Sequence, residues 1–297
     1  MIDFPSLDVK DAVLYLDAPR ETDVFVSFVL DFYQTYGRRF PWRETEDPYR
    51  VLLSEVMLQQ TQTGRVLDKY AEFLSLWPDF RSLAEVPFPQ LLSHWLGLGY
   101  NRRAMALQQA AKATGAWGWT IPNDMDLIMR LPGVGPATAA AICCFCYHGR
   151  EVYLETNIRR VLLHVFFPRR DMVRDKELST LLRSFLPVCG DTKNWYYALM
   201  DYGVLLKHLL PNPNRRSASY HPQTTFKGSD RQVRGALLRV LSETGPKDLH
   251  QLEALLPFEE ERISSVLGRL RDEGFVEESQ TRYLIKGTNG LNPRTTP

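Results

Sequence analysis

Leu131-Pro132-Gly133-Val134-Gly135 is the stretch that decides the fold of this 297-residue chain. It lies between two segments with helically spaced apolar residues, and Pro136 suits the first turn of the second helix. Two glycines one residue apart allow a sharp turn that presents backbone N–H groups, and the following helix adds the positive end of its dipole. The stretch predicts a phosphate-binding turn, although an ordinary tight turn between helices fits it as well. The candidate binding residues are Leu131, Gly133, Val134, Gly135 and Thr138.

Helical patterns dominate the sequence on both sides of this turn. Apolar residues with helical spacing occur in residues 24–36, 48–66, 68–76, 89–95, 102–114, 125–130, 136–147, 157–163, 176–186 and 195–209. Short connections with proline and glycine separate these segments, and no stretch before residue 210 has a clear strand pattern. The sequence therefore predicts an all-α domain over residues 24–209, preceded by an N-terminal extension over residues 1–23.

The pattern changes after residue 209. Residues 210–228 have no apolar periodicity and predict a linker. Three helical patterns and two short strand-like runs follow, which predicts a small winged-helix module over residues 229–287 and a disordered tail over residues 288–297. The third helix of DNA-binding modules of this kind enters the major groove. Glu259, Glu260 and Glu261 at the start of this third helix would repel phosphate, which favours a structural or accessory role.

Composition and cysteine content place only broad limits on function. The 36 Lys and Arg residues balance 35 Asp and Glu residues, so net charge neither supports nor excludes DNA binding. Three of the four cysteines lie in an apolar helical run, and none has the spacing of a zinc site or of a disulfide framework. No apolar run approaches the roughly 20 residues needed to cross a membrane, and the first residues lack the pattern of a secretory signal. We expect a cytoplasmic protein with no metal and no membrane partner.

Glu55 is the first candidate for catalysis. It lies one helical turn from Leu52 and from Leu58, so it interrupts an apolar helix face. Burial of a carboxyl group disfavours its ionised form, which suits a general acid near neutral pH. A structural glutamate with satisfied hydrogen bonds is the alternative. The next residues, Gln59-Gln60-Thr61-Gln62, offer amide and hydroxyl groups able to bind base edges.

Glu155 is the second candidate for catalysis. A short apolar approach, Tyr153-Leu154, ends at this residue, which could cap the helix that begins near Asn157. The helix dipole at such a position favours the ionised carboxylate. One neutral acid and one carboxylate form the pair that breaks glycosidic bonds through an oxocarbenium-like state. A plain capping residue is the alternative.

These stretches, in this order within an all-α chain, resemble the helix-hairpin-helix DNA glycosylase superfamily and, within it, the MutY family. The resemblance covers about residues 24–209. Its motifs fall in family order: Phe40-Pro41-Trp42-Arg43, Asp47-Pro48-Tyr49-Arg50, residues 54–62, Gly97-Leu98-Gly99-Tyr100, residues 131–135 and Ala198-Leu199-Met200-Asp201-Tyr202-Gly203. Residues 226–235 and the module that follows are similar to the tail of some bacterial MutY proteins.

The resemblance implies a fold and a set of roles. The fold would have two subdomains, one of about residues 50–155 and one of residues 24–49 and 156–209, with the active site in the cleft between them. Such an enzyme acts on double-stranded DNA as a monomer, bends it and flips the target base into the cleft. Glu55 matches the glutamate that protonates the departing purine. Trp42, Arg43 and Leu58 match the adenine pocket, Asn157 and Asp201 match residues near the catalytic carboxylate, and Gln59, Gln60 and Tyr100 match residues that contact DNA.

The chain departs from the family pattern in several places. Glu155 stands where the family has its catalytic aspartate, and Asn101 replaces a tyrosine that wedges into the duplex. Ala137 stands where relatives that also cleave the strand carry a Schiff-base lysine, which predicts a monofunctional enzyme that leaves an abasic site. No cysteine follows Cys189, so the four-cysteine iron–sulfur loop of most relatives cannot form and no cofactor is expected. We also find no segment similar to the Nudix-like domain of many relatives.

The resemblance leaves the substrate open. Adenine opposite 8-oxoguanine or guanine is the first hypothesis, and another flipped base, such as uracil or thymine opposite guanine, is the enzymatic alternative. A DNA-binding protein that kept the scaffold and lost catalysis is a different alternative, motivated by Glu155 and the missing cluster. Retention of Glu55 and of the pocket residues argues against that last hypothesis.

Overall fold

The structure, a computed structural model, describes residues 4, 7–222 and 225–288. Most of the predicted tail, residues 289–297, lies outside the described residues. Fifteen helices and one antiparallel hairpin form the described part, which confirms the predicted all-α fold with a small β element. The elements are α1 Val9–Leu14, α2 Thr22–Tyr36, α3 Pro48–Leu58, α4 Thr63–Leu76, α5 Phe80–Glu85, α6 Phe88–Trp95, α7 Arg102–Thr114, α8 Met125–Ile128, α9 Pro136–Tyr147, α10 Thr156–Val165, α11 Asp175–Phe185, α12 Thr192–Leu209, α13 Asp230–Thr244, α14 Leu249–Leu255, α15 Glu260–Asp272, β1 Val276–Ser279 and β2 Arg282–Ile285.

The chain divides into two compact units, and the first comprises Met1–Glu55 and Ile121–Pro222. Its centre is α12, which packs against α2, α9 and α10. Aromatic side chains fill this core: the ring of Phe25 on α2 meets that of Trp195 on α12 edge-on, with centroids 6.0 Å apart. Edge-to-face packing of this kind stabilises a core beyond its buried area. The predicted subdomain of residues 50–155 differs from this division, because α9 packs against α12 of the first unit.

Residues 210–222, the first part of the predicted linker, pack against α10 of the same unit. Pro213–Arg216 form a short 3-10 helix. Arg216 Nη2 donates to the carbonyl of Leu163 at 2.9 Å, and a parallel bridge joins Val173 to Ser217. These polar and backbone contacts hold a segment that has no apolar periodicity.

The second unit comprises Val56–Thr120 and Gln223–Pro297. Its C-terminal part has the three helices α13, α14 and α15 and the β1–β2 hairpin, and an isolated bridge between Lys247 and Tyr283 adds a second strand-like pairing. This C-terminal module is not separate from the helices that precede it in the unit. Fully buried Val233, Leu237 and Leu270 share one core with Leu92 of α6. In the described part of the chain, no helix is both long enough and apolar enough to span a bilayer.

Candidate active site

The predicted site residues are distributed over both units. The first unit holds Trp42, Arg43, Glu55, Leu131, Gly133, Val134, Gly135, Thr138, Glu155, Asn157 and Asp201. The second unit holds Leu58, Gln59, Gln60 and Tyr100.

Glu55 lies on α3 beside Leu52 and Leu53, both of which are fully buried. Its carboxylate Oε2 accepts a hydrogen bond from the hydroxyl of Tyr153 at 3.2 Å. Burial raises the pKa of Glu55 to about 7 and the charge of Glu155 acts in the same direction, while the Tyr153 hydrogen bond opposes them. Glu55 therefore keeps a proton to a higher pH than an ordinary glutamate does, as a general acid requires.

Glu155 caps the first turn of α10, as its position in the sequence predicts. Its Oε1 accepts hydrogen bonds from the backbone N–H of Asn157 at 2.6 Å and of Ile158 at 2.8 Å. The sequence predicted that this cap would favour ionisation. The pKa of Glu155 is instead raised, because burial outweighs the two N–H donors and the nearby Arg160 and Arg159. Glu155 is thus a partly buried carboxyl group whose oxygens are held by fixed donors.

Asn157 links Glu155 to the interior of the unit. Its Nδ2 donates to Glu155 Oε2 at 3.2 Å, while its Oδ1 accepts from Arg160 Nη1 at 2.6 Å. The same Arg160 nitrogen donates to the carbonyl of Gly203 at 2.9 Å. A Cβ on Gly203 would lie 2.3 Å from the carbonyl oxygen of Asn157, so only glycine lets α12 approach the start of α10 this closely. Glu155 is therefore positioned by a chain of contacts that begins on α12.

The sequence did not single out Tyr153, Arg160 or Gly203 as functional residues. Arg160 lies one helical turn after Asn157, and this spacing is a sequence feature that could have suggested the pair. Tyr153 comes from the extended segment before Glu155, and no helical spacing relates it to Glu55. Their contact depends on long-range packing alone.

Asp201 is fully buried and lies between two arginines. It accepts from the backbone N–H of Arg38 at 2.7 Å and from Arg38 Nε at 2.8 Å. Arg43 donates to both of its oxygens, from Nη1 at 2.9 Å and Nη2 at 2.8 Å. Both lone-pair faces of the carboxylate are thus occupied by protein donors. Asp201 fixes Arg43 in place. The oxygens of Asp201 are already occupied by these donors and are not available to bind a substrate.

Trp42 and Arg43 form one aromatic and cationic layer in the first unit. The indole of Trp42 stacks on Phe40 with centroids 5.0 Å apart and ring planes 8° apart. The guanidinium of Arg43 lies over the ring of Phe40 at 5.1 Å and over that of Tyr197 at 4.6 Å. Stacked aromatic planes of this kind provide a rigid wall on which a flat base can stack.

The turn at residues 131–135 has the geometry that the sequence predicts. Gly133 has a left-handed φ of +75°, which glycine adopts without strain. Gly135 precedes α9 with an extended backbone, and a Cβ added there would meet nothing within 4 Å. Leu131, Val134 and Thr138 are buried, and they anchor the turn in the first unit. The exposed glycines at a helix N-terminus leave room for a phosphate oxygen.

A buried arginine shapes the candidate DNA-contacting residues of the second unit. Arg103 Nη1 donates to the carbonyl of Gln59 at 2.7 Å, and its Nη2 donates to that of Gly99 at 2.9 Å. Desolvation lowers the pKa of Arg103 to about 10. Gln60 and Tyr100 lie on the two turns that this arginine holds, and both have left-handed backbones, with φ of 55° and 48°. Leu58 is the last residue of α3, immediately before the first of these turns.

The residues present do not fit the iron–sulfur cluster of most relatives. The four cysteines, Cys143, Cys144, Cys146 and Cys189, are buried free thiols. Burial raises the pKa of Cys144 to about 12, so it is a poor metal ligand. Between residues 206 and 220 there is no cysteine; in that stretch Asn214 Nδ2 donates to the carbonyl of Thr156 at 3.1 Å instead. Within the described ranges, no group of three or more His, Cys, Asp and Glu side chains is arranged to hold a metal ion.

Three comparisons place the chain among known proteins. A family model described as HhH-GPD superfamily base excision DNA repair protein matches residues 53–187. The adenine DNA glycosylase of Mycolicibacterium smegmatis is 29% identical over 278 residues, which cover 87% of this chain and 95% of the relative. The adenine DNA glycosylase of Mycobacterium tuberculosis is 33% identical over 234 residues, which cover 72% and 77% of the two chains.

A solved structure agrees with these sequence matches. The structure of a thermostable thymine-DNA glycosylase has a TM-score of 0.56 and 29% sequence identity, and it covers 61% of this chain and 85% of that one. The chain belongs to the HhH-GPD superfamily of base excision DNA repair proteins, as a MutY-like DNA N-glycosylase. The family resemblance inferred from the sequence motifs is confirmed.

Proposed function

We propose that this protein is a monofunctional DNA glycosylase that removes adenine mispaired with 8-oxoguanine or guanine. The observation that carries the proposal is the pair of partly buried glutamates in the first unit. Glu55 has a pKa of about 7 and accepts a hydrogen bond from the hydroxyl of Tyr153. Glu155 accepts hydrogen bonds from two backbone N–H groups. The names of the mycobacterial relatives support adenine as the base.

The proposed reaction uses the two carboxyl groups in different roles. The protonated Glu55 donates its proton to a ring nitrogen of the flipped purine, and the bond between that base and C1′ breaks with its electron pair leaving on the base. The sugar becomes an oxocarbenium-like cation, which the Glu155 carboxylate stabilises by its charge. Water then adds to C1′ and loses a proton to give an abasic site. The proton that the water loses returns Glu55 to its acid form.

Ala137 supports the monofunctional assignment. It is an exposed residue in the first turn of α9, and its methyl side chain has no amine to form a Schiff base with the sugar. Water is therefore the proposed nucleophile, and the strand is left uncut at the abasic site.

Double-stranded DNA is the proposed partner, bound by a single copy of the chain. The turn at residues 131–135 would hold one strand by its backbone N–H groups without regard to sequence. Such a substrate places the activity in the cytoplasm, at the nucleoid.

A thymine or uracil opposite guanine is the second candidate substrate. The similarity to the thymine-DNA glycosylase structure, at 29% identity, favours it. A pyrimidine leaves with less need of a strong acid than a purine does. Dependence of the rate on Glu55 therefore separates the two substrates.

Single-turnover base release from labelled duplexes tests the proposal. The panel contains adenine opposite 8-oxoguanine, adenine opposite guanine, and uracil and thymine opposite guanine, each read with and without alkali. We expect strand cleavage from adenine duplexes only, and only after alkali. Glu55→Gln should abolish this release while duplex affinity stays the same. Glu151→Gln alters an exposed glutamate of the same unit and should leave the release unchanged. Tight duplex binding with no release from any substrate would instead establish a binding protein.

A further inference from the structure

The C-terminal module and the segment around Tyr100 enclose a groove within the second unit. The groove has a volume of about 1040 Å³ and lies between residues 96–103, α13 and the C-terminal half of α15. The helices on its two sides share one hydrophobic core, in which Val233 and Leu270 pack with Leu92. The groove is therefore built into the unit and does not depend on a flexible linker.

The lining of this groove is strongly basic. Exposed and partly buried arginines line it, namely Arg65, Arg102, Arg231, Arg234, Arg239 and Arg269, and its acidic residues are Asp230 and Glu273. The buried Arg103 adds a seventh guanidinium. Because the whole chain is nearly neutral, this concentration of positive charge is local. Clefts lined by one sign of charge raise the local concentration of ligands with the opposite charge.

The two acidic residues organise the arginines without neutralising the groove. Glu273 pairs with Arg102 and, at 2.7 Å, with Arg234. Asp230 pairs with Arg269 at 2.6 Å. The three acidic residues at positions 259–261, which argued against phosphate binding, precede the half of α15 that lines the groove. None of the three is a lining residue of the groove.

Arg65 and Arg239 are the groove arginines most available to a ligand. Both side chains are exposed, and neither makes a hydrogen bond or ion pair with another of the residues that the structure describes. Arg65 comes from α4 and Arg239 from α13, so two different helices contribute these cations to the groove lining. Two cations with no acidic partner, held on rigid helices, suit an extended polyanion.

The module also holds a residue that the family resemblance assigns to DNA contact. Arg231 Nη1 on α13 donates to the hydroxyl of Tyr100 at 2.8 Å, and its guanidinium lies 5.8 Å from the centre of that ring. Gln59 and Gln60 line the same groove. The basic surface of the module is thus continuous with the candidate DNA-contacting turns of its own unit.

We propose that this groove binds backbone phosphates of duplex DNA beside the turns that carry Gln60 and Tyr100, which makes the C-terminal module part of the DNA-binding surface. This inference rests on the proposed function. All cations of the groove are arginines, whose planar guanidinium groups bind phosphate oxygens in pairs. The module thereby supplies affinity that does not depend on sequence, as phosphate contacts do in general.

The test is the salt dependence of duplex binding by the full chain carrying Arg65→Gln and Arg239→Gln together. Each lost phosphate contact reduces the steepness of the plot of log affinity against log salt concentration by about 0.9. The steepness should therefore decrease by about two for the double variant. Affinity for an undamaged duplex near 150 mM salt should fall by about tenfold or more. Arg282→Gln, on an exposed strand position outside the groove, is the matched control and should change neither quantity.

Two outcomes would overturn the inference. One is a double variant that melts like the parent and binds duplex with the parental affinity and slope. The other is a double variant that no longer binds poly-glutamate, which the parent binds, while its duplex affinity is unchanged. That result would assign the groove to an acidic protein. Base release by the parent protein is scored separately. If no base is released but the double variant loses duplex affinity, the proposed function fails and the groove assignment stands.

Discussion

Glu55→Gln is expected to inactivate this protein and to stabilise it at the same time. The pKa of Glu55 is raised from 4.5 to about 7 by burial. A difference of this size between folded and unfolded chains corresponds to about 3 kcal/mol, because each pH unit contributes about 1.4 kcal/mol. The side chain retains some exposure, so we expect about 2 kcal/mol of the effect. Glutamine has the same shape and carries no charge at any pH.

The sign of the effect follows from the direction of the pKa change. Below pH 4.5 the carboxyl group is protonated in both states and contributes no penalty. As pH rises from 4.5 to about 7, the unfolded chain loses the proton while the folded chain keeps it, so stability falls. Above pH 7 the folded protein carries the full penalty. The variant should therefore melt about 4–8 °C above the parent at pH 8, at about 2–4 °C per kcal/mol, and close to the parent at pH 4.5.

The assay combines thermal melting at the two pH values with single-turnover base release. Loss of a general acid lowers rates by about 10²–10⁴-fold, so the variant should release the base at least about 10²-fold more slowly than the parent. Glu151→Gln removes a charge from an exposed position of the same unit and should change neither melting nor rate. A variant that melts like the parent at pH 8, or that is stabilised equally at both pH values, would refute the reasoning. Retained base release would refute the assignment of Glu55 as the acid.

Three further predictions concern the groups around the two glutamates. Tyr153→Phe removes the hydrogen bond that lowers the pKa of Glu55, so the fall of the rate at alkaline pH should move upward by about one pH unit in a pH–rate profile. Gly203→Ala places a Cβ 2.3 Å from a carbonyl oxygen at the start of α10; unfolding free energy should fall by about 1–3 kcal/mol and the base-release rate by about tenfold or more. Arg43→Ala leaves Asp201 buried with one arginine in place of two, and chemical denaturation should show a loss of about 3–5 kcal/mol.

Matched controls separate these effects from general damage. Tyr283→Phe removes a hydroxyl from the C-terminal module and should leave the pH–rate profile in place. Gly64→Ala adds a methyl where nothing lies within 4 Å. Arg50→Ala removes a half-exposed arginine whose carboxylate partner lies 3.6 Å away, and we expect a change of less than about 1 kcal/mol. An unshifted profile for the Tyr153 variant, or a parental melting curve for the Gly203 or Arg43 variant, would contradict the corresponding prediction.

The sequence predicted local features well where short-range chemistry determines them. The helix spacing, the turn at Gly133 and the cap at Glu155 all depend on residues within a few positions of one another. The interruption of an apolar face by Glu55 was visible for the same reason. The sequence also predicted the absence of cluster cysteines between residues 206 and 220, but not that Asn214 and Arg216 hold this stretch against α10.

The roles of several residues depended on contacts between distant parts of the chain. The oxygens of Asp201 are occupied by Arg38 and Arg43, which are about 160 positions away in the sequence. Tyr153 contacts Glu55 across 98 positions, and this contact helps to set the acid strength of the carboxyl group. Local patterns carry no information on such pairings.

The sequence by itself determined the helices, the turn, the capping residue and the family, because each depends on residue type and short spacing. Only the tertiary structure decided that burial raises the pKa of both carboxyl groups, since desolvation and neighbouring charge arise from packing. It also decided that the C-terminal module shares a core with α6 and forms a basic groove together with residues 96–103. The chain is nearly neutral as a whole, so this concentration of charge appears only when distant arginines are brought together by folding.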